Sequence, residues 1–217
     1  MQKLLQSAVD NEVVPFAIAA RITREGIVEE AASGGAAMSS IFRIASMTKA
    51  ITSVAIMQLV EQGKLALDAP AANYIELMRD KRVLAGFDAD GTPRLRDPAS
   101  QPTIRQLLTH TAGFAYVIWN AHLLRVAQQM GMDMSRDVGA DILNLPLTAD
   151  PGARWEYGIS TDVLGFIIES VSGRSLADYF AEHILLPLGM TDTHFNLPEE
   201  KQQRVLPAFS RDRKSVV

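Results

Sequence analysis

The sequence lacks cysteine altogether. Without cysteine the chain can form no disulfide bond, no thiolate nucleophile and no cysteine-ligated metal site. An excess of positive charge is also missing, because 21 Lys and Arg residues stand against 25 Asp and Glu residues, a formal net charge of −4. This balance is unsuited to an electrostatic hold on phosphate backbones, so nucleic acid is not expected as a partner.

Long hydrophobic runs are scarce as well. The longest stretch without Asp, Glu, Lys or Arg runs from Gln106 to Leu124, and its two histidines make it too polar for a membrane span. The first residues, MQKLLQSAVDNEVV, place apolar side chains at helical spacing and lack the continuous apolar run of a signal peptide. We therefore expect no membrane partner and a cytoplasmic location.

The chain has 217 residues, 47% of them apolar, which is enough for one large or two interleaved domains. The residue pattern predicts a β-hairpin with strands at about 16–23 and 27–33, and a strongly apolar helix over 44–62 that ends at Gly63. Further helices are predicted near 103–109, 119–130, 137–143 and 161–172, and over LADYFAEHILLPL. The segment 79–102 is interpreted as a loop on the surface, so the hairpin at 16–33 is the one convincing hairpin that the sequence predicts.

The most informative position is Lys49, the only charged residue between Arg43 and Glu61. Because the predicted helix is apolar nearly all round, we expect Lys49 to be buried and its pKa to be depressed. Ser46 lies three residues earlier on the same face, within reach of that amine. A serine hydroxyl beside such a lysine is an activated nucleophile, and the Ser46 backbone N–H can donate to a developing oxyanion. The alternative is an N-cap serine and a lysine that extends into solvent.

A longer set of motifs carries a resemblance to a known family. In order, the motifs are FRIASMTKAITSVAIMQLVEQGKLALDAP, GFDADGTPRLRDP, IRQLLTHTAGF with AYVIWN, RWEYGISTDVLG and LLPLGMTDTHF. Together they cover most of the chain after Gly35. This set resembles the serine β-lactamase-like fold of penicillin-binding proteins and class C β-lactamases, and within it the family VIII carboxylesterases.

The resemblance implies an α+β fold of the β-lactamase/transpeptidase type, in which a helical region packs on an antiparallel sheet flanked by helices. Residues 1–62 would be the N-terminal part of the α/β domain. Residues 63–195 would form a mostly helical domain, and residues 196–217 would begin the return to the α/β domain.

The resemblance also implies a third site residue. The second motif of the family begins with a tyrosine that acts with the lysine as general base, and the matching residue is Tyr157. Without the resemblance, Tyr157 would be interpreted as an aromatic packed beside Trp155. With it, Tyr157 and Lys49 would share the proton taken from Ser46, and which of the two is the base stays open.

One position departs from the lactamase pattern. Class C enzymes carry Asn two residues after this tyrosine, whereas Ile159 stands here. Loss of that amide favours esters over β-lactams. Phe114, Tyr116, Trp119 and Ile159 are candidates to line the substrate pocket, and simple packing is the alternative for the three aromatics. All four histidines, His110 among them, are interpreted as structural or surface residues.

The sequence therefore predicts a serine hydrolase of short-chain carboxylic esters, a carboxylesterase that forms an acyl-enzyme, with weak or no β-lactamase activity and with no metal or organic cofactor. The alternatives are a non-catalytic penicillin-recognising or interaction protein, a β-lactamase, and a D-alanyl-D-alanine peptidase. The third motif of the family, of Lys-Thr-Gly or His/Trp-x-Gly type, does not occur before Val217. We therefore expect further polypeptide, such as a second C-terminal fragment released by cleavage near 211–214, to complete the sheet beside 16–33 and supply a second oxyanion donor.

Overall fold

The computed structural model describes residues 1–133 and 139–209. The chain divides into two compact units, residues 1–45 with those from Asp192 onward, and residues 46–191. The sequence-based division groups the helix after Ser46 with the first 62 residues, whereas the structure packs it on helices of the 46–191 unit. The predicted cleavage region 211–214 and the first residues of the predicted helix 137–143 lie outside the described residues.

The first unit contains helix α1 (Gln2–Asp10) and the predicted hairpin. Strands β1 (Ala17–Thr23) and β2 (Gly26–Ser33) pair antiparallel, with a bulge between Arg21 and Ile22. Gly26 has a φ of 110° at the turn, a conformation that glycine adopts without steric cost. The hairpin prediction is therefore confirmed, with strand bounds that differ by one residue.

The second unit is mostly helical. Its helices are α2 (Thr48–Glu61), α3 (Ile104–Leu108), α4 (Ala121–Gln129), α5 (Ser160–Ser172) and α6 (Leu176–Phe180), the last continued by a π-helical turn at Ala181–Leu185. Helix α5 packs against α2, α3 and α6. The core between them is mainly aliphatic, with Ile56, Leu59, Leu164 and Ile167 completely buried. Burial of such side chains supplies most of the stability of a helical unit.

Local signals set the ends of these helices. Helix α3 begins with a capping box, in which Thr103 and Gln106 each accept from the other's backbone N–H. The Asn120 side chain accepts from the Leu123 N–H at the start of α4, and α5 ends at Gly173 in the left-handed region. These caps explain why the bounds of α3, α4 and α5 could be predicted from the sequence within about two residues, whereas α2, predicted to start at residue 44, begins at Thr48.

The prediction of a single hairpin is wrong. Strands β3 (Val83–Phe87) and β4 (Pro93–Arg96) form a second antiparallel pair within the segment interpreted as a loop on the surface. The Leu84 N–H also donates to the Leu147 carbonyl, so β3 is supported by a distant segment that its short sequence does not reveal. Among the described helices, none is long and apolar enough to span a membrane.

Candidate active site

Ser46 and Lys49 lie one helical turn apart at the start of α2. Ser46 occupies the short 3₁₀ turn Ala45–Met47, and Lys49 lies in the first turn of the helix. The Lys49 Nζ donates to the Ser46 Oγ across 3.0 Å. Ala45, directly before the serine, has a φ of 42°, and backbone strain of this kind is concentrated at functional sites.

The environment of Lys49 differs from the sequence-based expectation. Helix α2 exposes the apolar side chains of Val54 and Met57, so the helix is not buried on every face. Lys49 itself is half-buried. Desolvation lowers the pKa of Lys49, but hydrogen bonds and charge interactions with Tyr157 and Tyr116 outweigh that effect and raise the pKa above its ordinary value. The expected depression of the lysine pKa is therefore wrong, because the sequence does not reveal the two tyrosine neighbours.

Tyr157 joins the pair from a distant loop. Its ring centroid lies 5.0 Å from the Lys49 Nζ. Hydrogen bonds from Lys49 and then from Ser46 lower the pKa of the Tyr157 phenol below its ordinary value. The structure thus brings together the three residues that the sequence singled out for chemistry.

Tyr116 is a fourth member of the cluster. Its hydroxyl oxygen accepts a hydrogen bond of 3.3 Å from the Lys49 Nζ. Sequence reasoning placed Tyr116 only in the pocket wall and missed this contact. Because the two residues lie 67 positions apart, no local pattern could have indicated it.

Two loops run side by side to position these tyrosines. A side chain at Gly158 would place its Cβ 2.5 Å from the Ala115 Cα, so only glycine allows this approach. The Glu156 N–H donates to the His110 carbonyl across 2.9 Å. Tyr116 directly follows Ala115, and Tyr157 directly precedes Gly158. The close approach of the two loops therefore holds the two tyrosine rings 5.6 Å apart.

His110 also contacts this cluster, whereas it was interpreted as a structural or surface residue. Its ring centroid lies 4.8 Å from that of Tyr157. Within the described residues its Nδ1 is buried and has no hydrogen-bond partner. Desolvation and then the nearby charge of Lys49 lower the pKa of His110, which favours a neutral imidazole beside the tyrosine.

An open cleft of about 420 Å³ lies at this cluster. The cleft is lined by Ala115, Tyr116, Trp119, Trp155, Glu156 and Tyr157. Two of the four predicted pocket residues, Tyr116 and Trp119, are therefore in its wall. Phe114 and Ile159 are each 3% exposed and belong to the main hydrophobic core, so their contact with a substrate stays a prediction.

Comparison with known proteins gives relatives named as acyltransferases and esterases. Monacolin J acid methylbutanoyltransferase of Aspergillus terreus is 36% identical over 158 residues, 72% of this chain and 38% of the relative. Esterase EstB of Burkholderia gladioli is 34% identical over 181 residues, 79% of this chain and 42% of the relative. The chain thus spans less than half the length of these relatives.

The unliganded simvastatin synthase LovD of Aspergillus terreus has a similar structure, with a TM-score of 0.81 at 28% identity. The match covers 98% of this chain and 57% of the LovD chain. The predicted β-lactamase/transpeptidase-like fold is confirmed by this similarity together with the family match, which extends over residues 1–216. The chain belongs to the Beta-lactamase family.

Proposed function

We propose that this chain carries the nucleophile and the proton-transfer residues of a carboxylesterase that acts on short-chain esters. The observation that carries the proposal is the 3.0 Å hydrogen bond from the Lys49 Nζ to the Ser46 Oγ, beside two tyrosine hydroxyls. A hydroxyl that contacts groups able to accept its proton fits the pattern of an activated serine. The names of the relatives, an esterase and an acyltransferase, support acyl chemistry.

In the acylation step, the Ser46 Oγ forms a bond to the ester carbonyl carbon, and the bond from that carbon to the alcohol oxygen breaks. The serine proton passes to the base and then to the departing alkoxide, so the alcohol leaves neutral. In the second step, water attacks the carbonyl carbon of the acyl-serine and the same group accepts a proton from the water. The bond from that carbon to the Ser46 Oγ breaks, the proton passes to the Oγ, and the carboxylic acid and the free serine are released.

The directions of the pKa shifts favour Tyr157 over Lys49 as the base. The pKa of Tyr157 is lowered by Lys49 and Ser46, whereas the pKa of Lys49 is raised, so Tyr157 gives up its proton more readily than an isolated phenol and Lys49 less readily than an isolated amine. A phenolate accepts the serine proton directly. In this scheme Lys49 keeps its charge throughout and stabilises the phenolate.

The Ser46 backbone N–H is proposed as one oxyanion donor. It lies in the 3₁₀ turn that leads into α2, where backbone N–H groups point away from the helix and have no partner within it. Such a donor at the developing oxyanion is typically worth about 10²–10³ in rate.

Esters are favoured over β-lactams because of Ile159. Its side chain is buried in the core and presents no amide to a substrate. An enzyme without that polar contact has less to offer the amide group of a β-lactam, so we expect weak or no β-lactamase activity.

A second candidate is acyl transfer to an alcohol instead of to water, which the 36% identical methylbutanoyltransferase favours. The chemistry differs only in the nucleophile of the second step, where an alcohol attacks the acyl-serine and gives a new ester. Formation of that ester in the presence of added alcohol would distinguish transfer from hydrolysis.

The test is labelling by a fluorophosphonate together with turnover of a chromogenic butyrate ester and a chromogenic cephalosporin. We expect stoichiometric labelling and ester turnover in the wild type, and neither in Ser46→Ala. Ser53→Ala is the matched control, because Ser53 lies in α2 one turn after Lys49 and its hydroxyl donates to the Lys49 carbonyl.

Three outcomes would contradict the proposal. Activity above a trace in Ser46→Ala would remove Ser46 as the nucleophile. Labelling without any turnover would instead favour the non-catalytic penicillin-recognising alternative, and cephalosporin turnover equal to that of the butyrate ester would favour a β-lactamase.

A further inference from the structure

Both tryptophans of the chain lie at the candidate active site. The sequence has two, Trp119 and Trp155, and both line the cleft beside Tyr157. Trp119 is 68% exposed and Trp155 is 66% exposed. Large aromatic side chains left exposed around one cleft mark a ligand-binding groove or an interaction surface.

The rings of this cluster are arranged for stacking. Trp155 lies nearly parallel to Tyr157, with an interplanar angle of 20° and a centroid distance of 6.3 Å. Trp119 lies 5.8 Å from the same ring at 32°, and its other neighbour, Tyr116, meets it edge-on at 89°. A further flat ring in the cleft would find both stacked and edge-to-face partners, the two geometries that aromatic pairs prefer.

The charge of the cleft points to a neutral ligand. Glu156 is the one ionic side chain among the described residues that line it. Its carboxylate already accepts hydrogen bonds from Asn120, Thr148 and Arg154. The cleft therefore offers neither a free cation for an anionic ligand nor an unpaired carboxylate for a cationic one.

We propose that Trp119 and Trp155 form a binding site for an uncharged aryl group of the substrate, so that the preferred substrates are neutral aryl esters. This proposal rests on the proposed esterase function, because the Tyr157 ring is shared by the binding site and the catalytic cluster. The aryl group belongs to either the alcohol or the acid part of the ester, and the two arms of the test below distinguish these sources.

The first experiment measures binding without turnover. Since both tryptophans lie at the cleft, intrinsic tryptophan fluorescence of the full chain reports on this site alone. In Ser46→Ala, phenyl acetate is compared with cyclohexyl acetate for the alcohol arm, and methyl benzoate with methyl cyclohexanecarboxylate for the acid arm. We expect saturable quenching in one arm, with the aryl ester binding about three- to tenfold more tightly than its saturated partner.

The second experiment assigns the effect to the indoles. Trp119→Leu and Trp155→Leu are each expected to raise the KM for the preferred aryl ester about three- to tenfold, with little change in kcat, and Trp→Phe at either position should restore most of the loss. Ile118→Ala is the matched control, since Ile118 is 72% exposed next to Trp119 but does not line the cleft.

The outcomes separate this inference from the proposed function. The aryl site would be overturned by equal affinity for the aryl and saturated esters in both arms, or by an unchanged KM in the leucine variants. In either case, fluorophosphonate labelling of Ser46 would leave the esterase proposal standing. Aryl-specific quenching without any labelling of Ser46 would support the binding site and contradict the esterase proposal.

Discussion

Two pairs of residues meet at the candidate active site, and they are held in different ways. Ser46 lies in the 3₁₀ turn that leads into α2 and Lys49 in the first turn of α2, so their 3.0 Å contact follows from the local helical winding of the chain. Tyr116 and Tyr157 come from two loops and reach Lys49 through tertiary packing. The first pair is thus a local feature of the chain and the second a product of the whole unit.

The difference is visible in the contacts that support each pair. The tyrosines depend on the close approach of Gly158 to Ala115. Asp150 lies in the turn before Tyr157 and accepts two hydrogen bonds from Arg96, so we expect this pair to support the Tyr157 loop. The serine and lysine need only a helical turn. We therefore expect substitutions remote from the chemistry to affect the tyrosines more than the serine.

The largest expected effect comes from the proton-transfer residues themselves. Tyr157→Phe and Lys49→Ala should each lower the acylation rate by about 10²–10⁴. The first removes the proposed base, whose assistance is typically worth that factor, and the second removes the charge that stabilises its phenolate. Tyr116→Phe should lower it only about tenfold, since it removes one hydrogen bond to a charged group that retains other partners. Single-turnover kinetics with a butyrate ester measure all three.

Equal losses in Tyr116→Phe and Tyr157→Phe would contradict this ranking and would make the two phenols equivalent. An ester hydrolysis rate at the wild-type level in Tyr157→Phe would remove Tyr157 from proton transfer.

The pH dependence should identify the base. The pKa of Tyr157 is lowered from its ordinary value of 10.0, and a phenolate base requires the deprotonated form, so kcat/KM should rise with pH up to that lowered pKa and then level off. Below it the rate should fall about tenfold per pH unit. Lys49, with its pKa raised above 10.5, stays protonated across this range.

Other titratable groups face Tyr157 and need separate control. Asp162 interacts with its charge, and His110 packs on its ring with a pKa lowered below 6.5. The rise of kcat/KM with pH should vanish in Tyr157→Phe and persist in His110→Asn. A rise that persists unchanged in Tyr157→Phe would assign the titration to another group.

A smaller effect is expected from the loop contact. Gly158→Ala would force the two loops apart, at a cost in the free energy of unfolding of about 1–3 kcal/mol, as for overpacking elsewhere in proteins. It should also weaken the Tyr157 contribution to the rate. Gly165→Ala is the control, because its new Cβ meets only the end of the Leu176 side chain at 3.2 Å.

Urea unfolding gives the stability of both glycine variants, and ester kinetics give the rate. If Gly158→Ala retained wild-type stability and activity, the close approach of the loops would not be what places the tyrosines.

The smallest effect is expected at Asp150. The Arg96 side chain and then the Ala99 N–H lower the pKa of Asp150 from 3.8 to about 2, so the pair stabilises the folded state above pH 3.8 and this contribution is lost as the pH falls through about 2. Asp150→Asn should lower the midpoint of urea unfolding at neutral pH. It should also make that midpoint fall less steeply as the pH decreases from 3.8 to about 2. The effect is modest because the ion pair is open to solvent.

Asp68→Asn is the matched control, since Asp68 also accepts two hydrogen bonds from an exposed arginine, Arg105. Both variants should lose some stability, whereas only Asp150→Asn should change kcat/KM. A similar change of kcat/KM in both would show that the Asp150 pair does not act through the Tyr157 loop.

Much of the fold could be predicted because its signals are local. The hairpin at 16–33 and the bounds of α3 and α5 follow from turn residues, caps and periodicity within a few positions of one another. The second hairpin was missed, because β3 is short, contains Gly86, and gains support from Leu147, more than sixty positions away.

By itself, the sequence determined the spacing of Ser46 and Lys49, and the resemblance added Tyr157 to them. Only the tertiary structure decided that Tyr116 and His110 join this cluster and that the pKa of Lys49 moves up rather than down. The reason is physical. Helical spacing is a property of consecutive residues, whereas a pKa depends on every charge and hydrogen-bond partner that folding brings near, whatever its position in the chain.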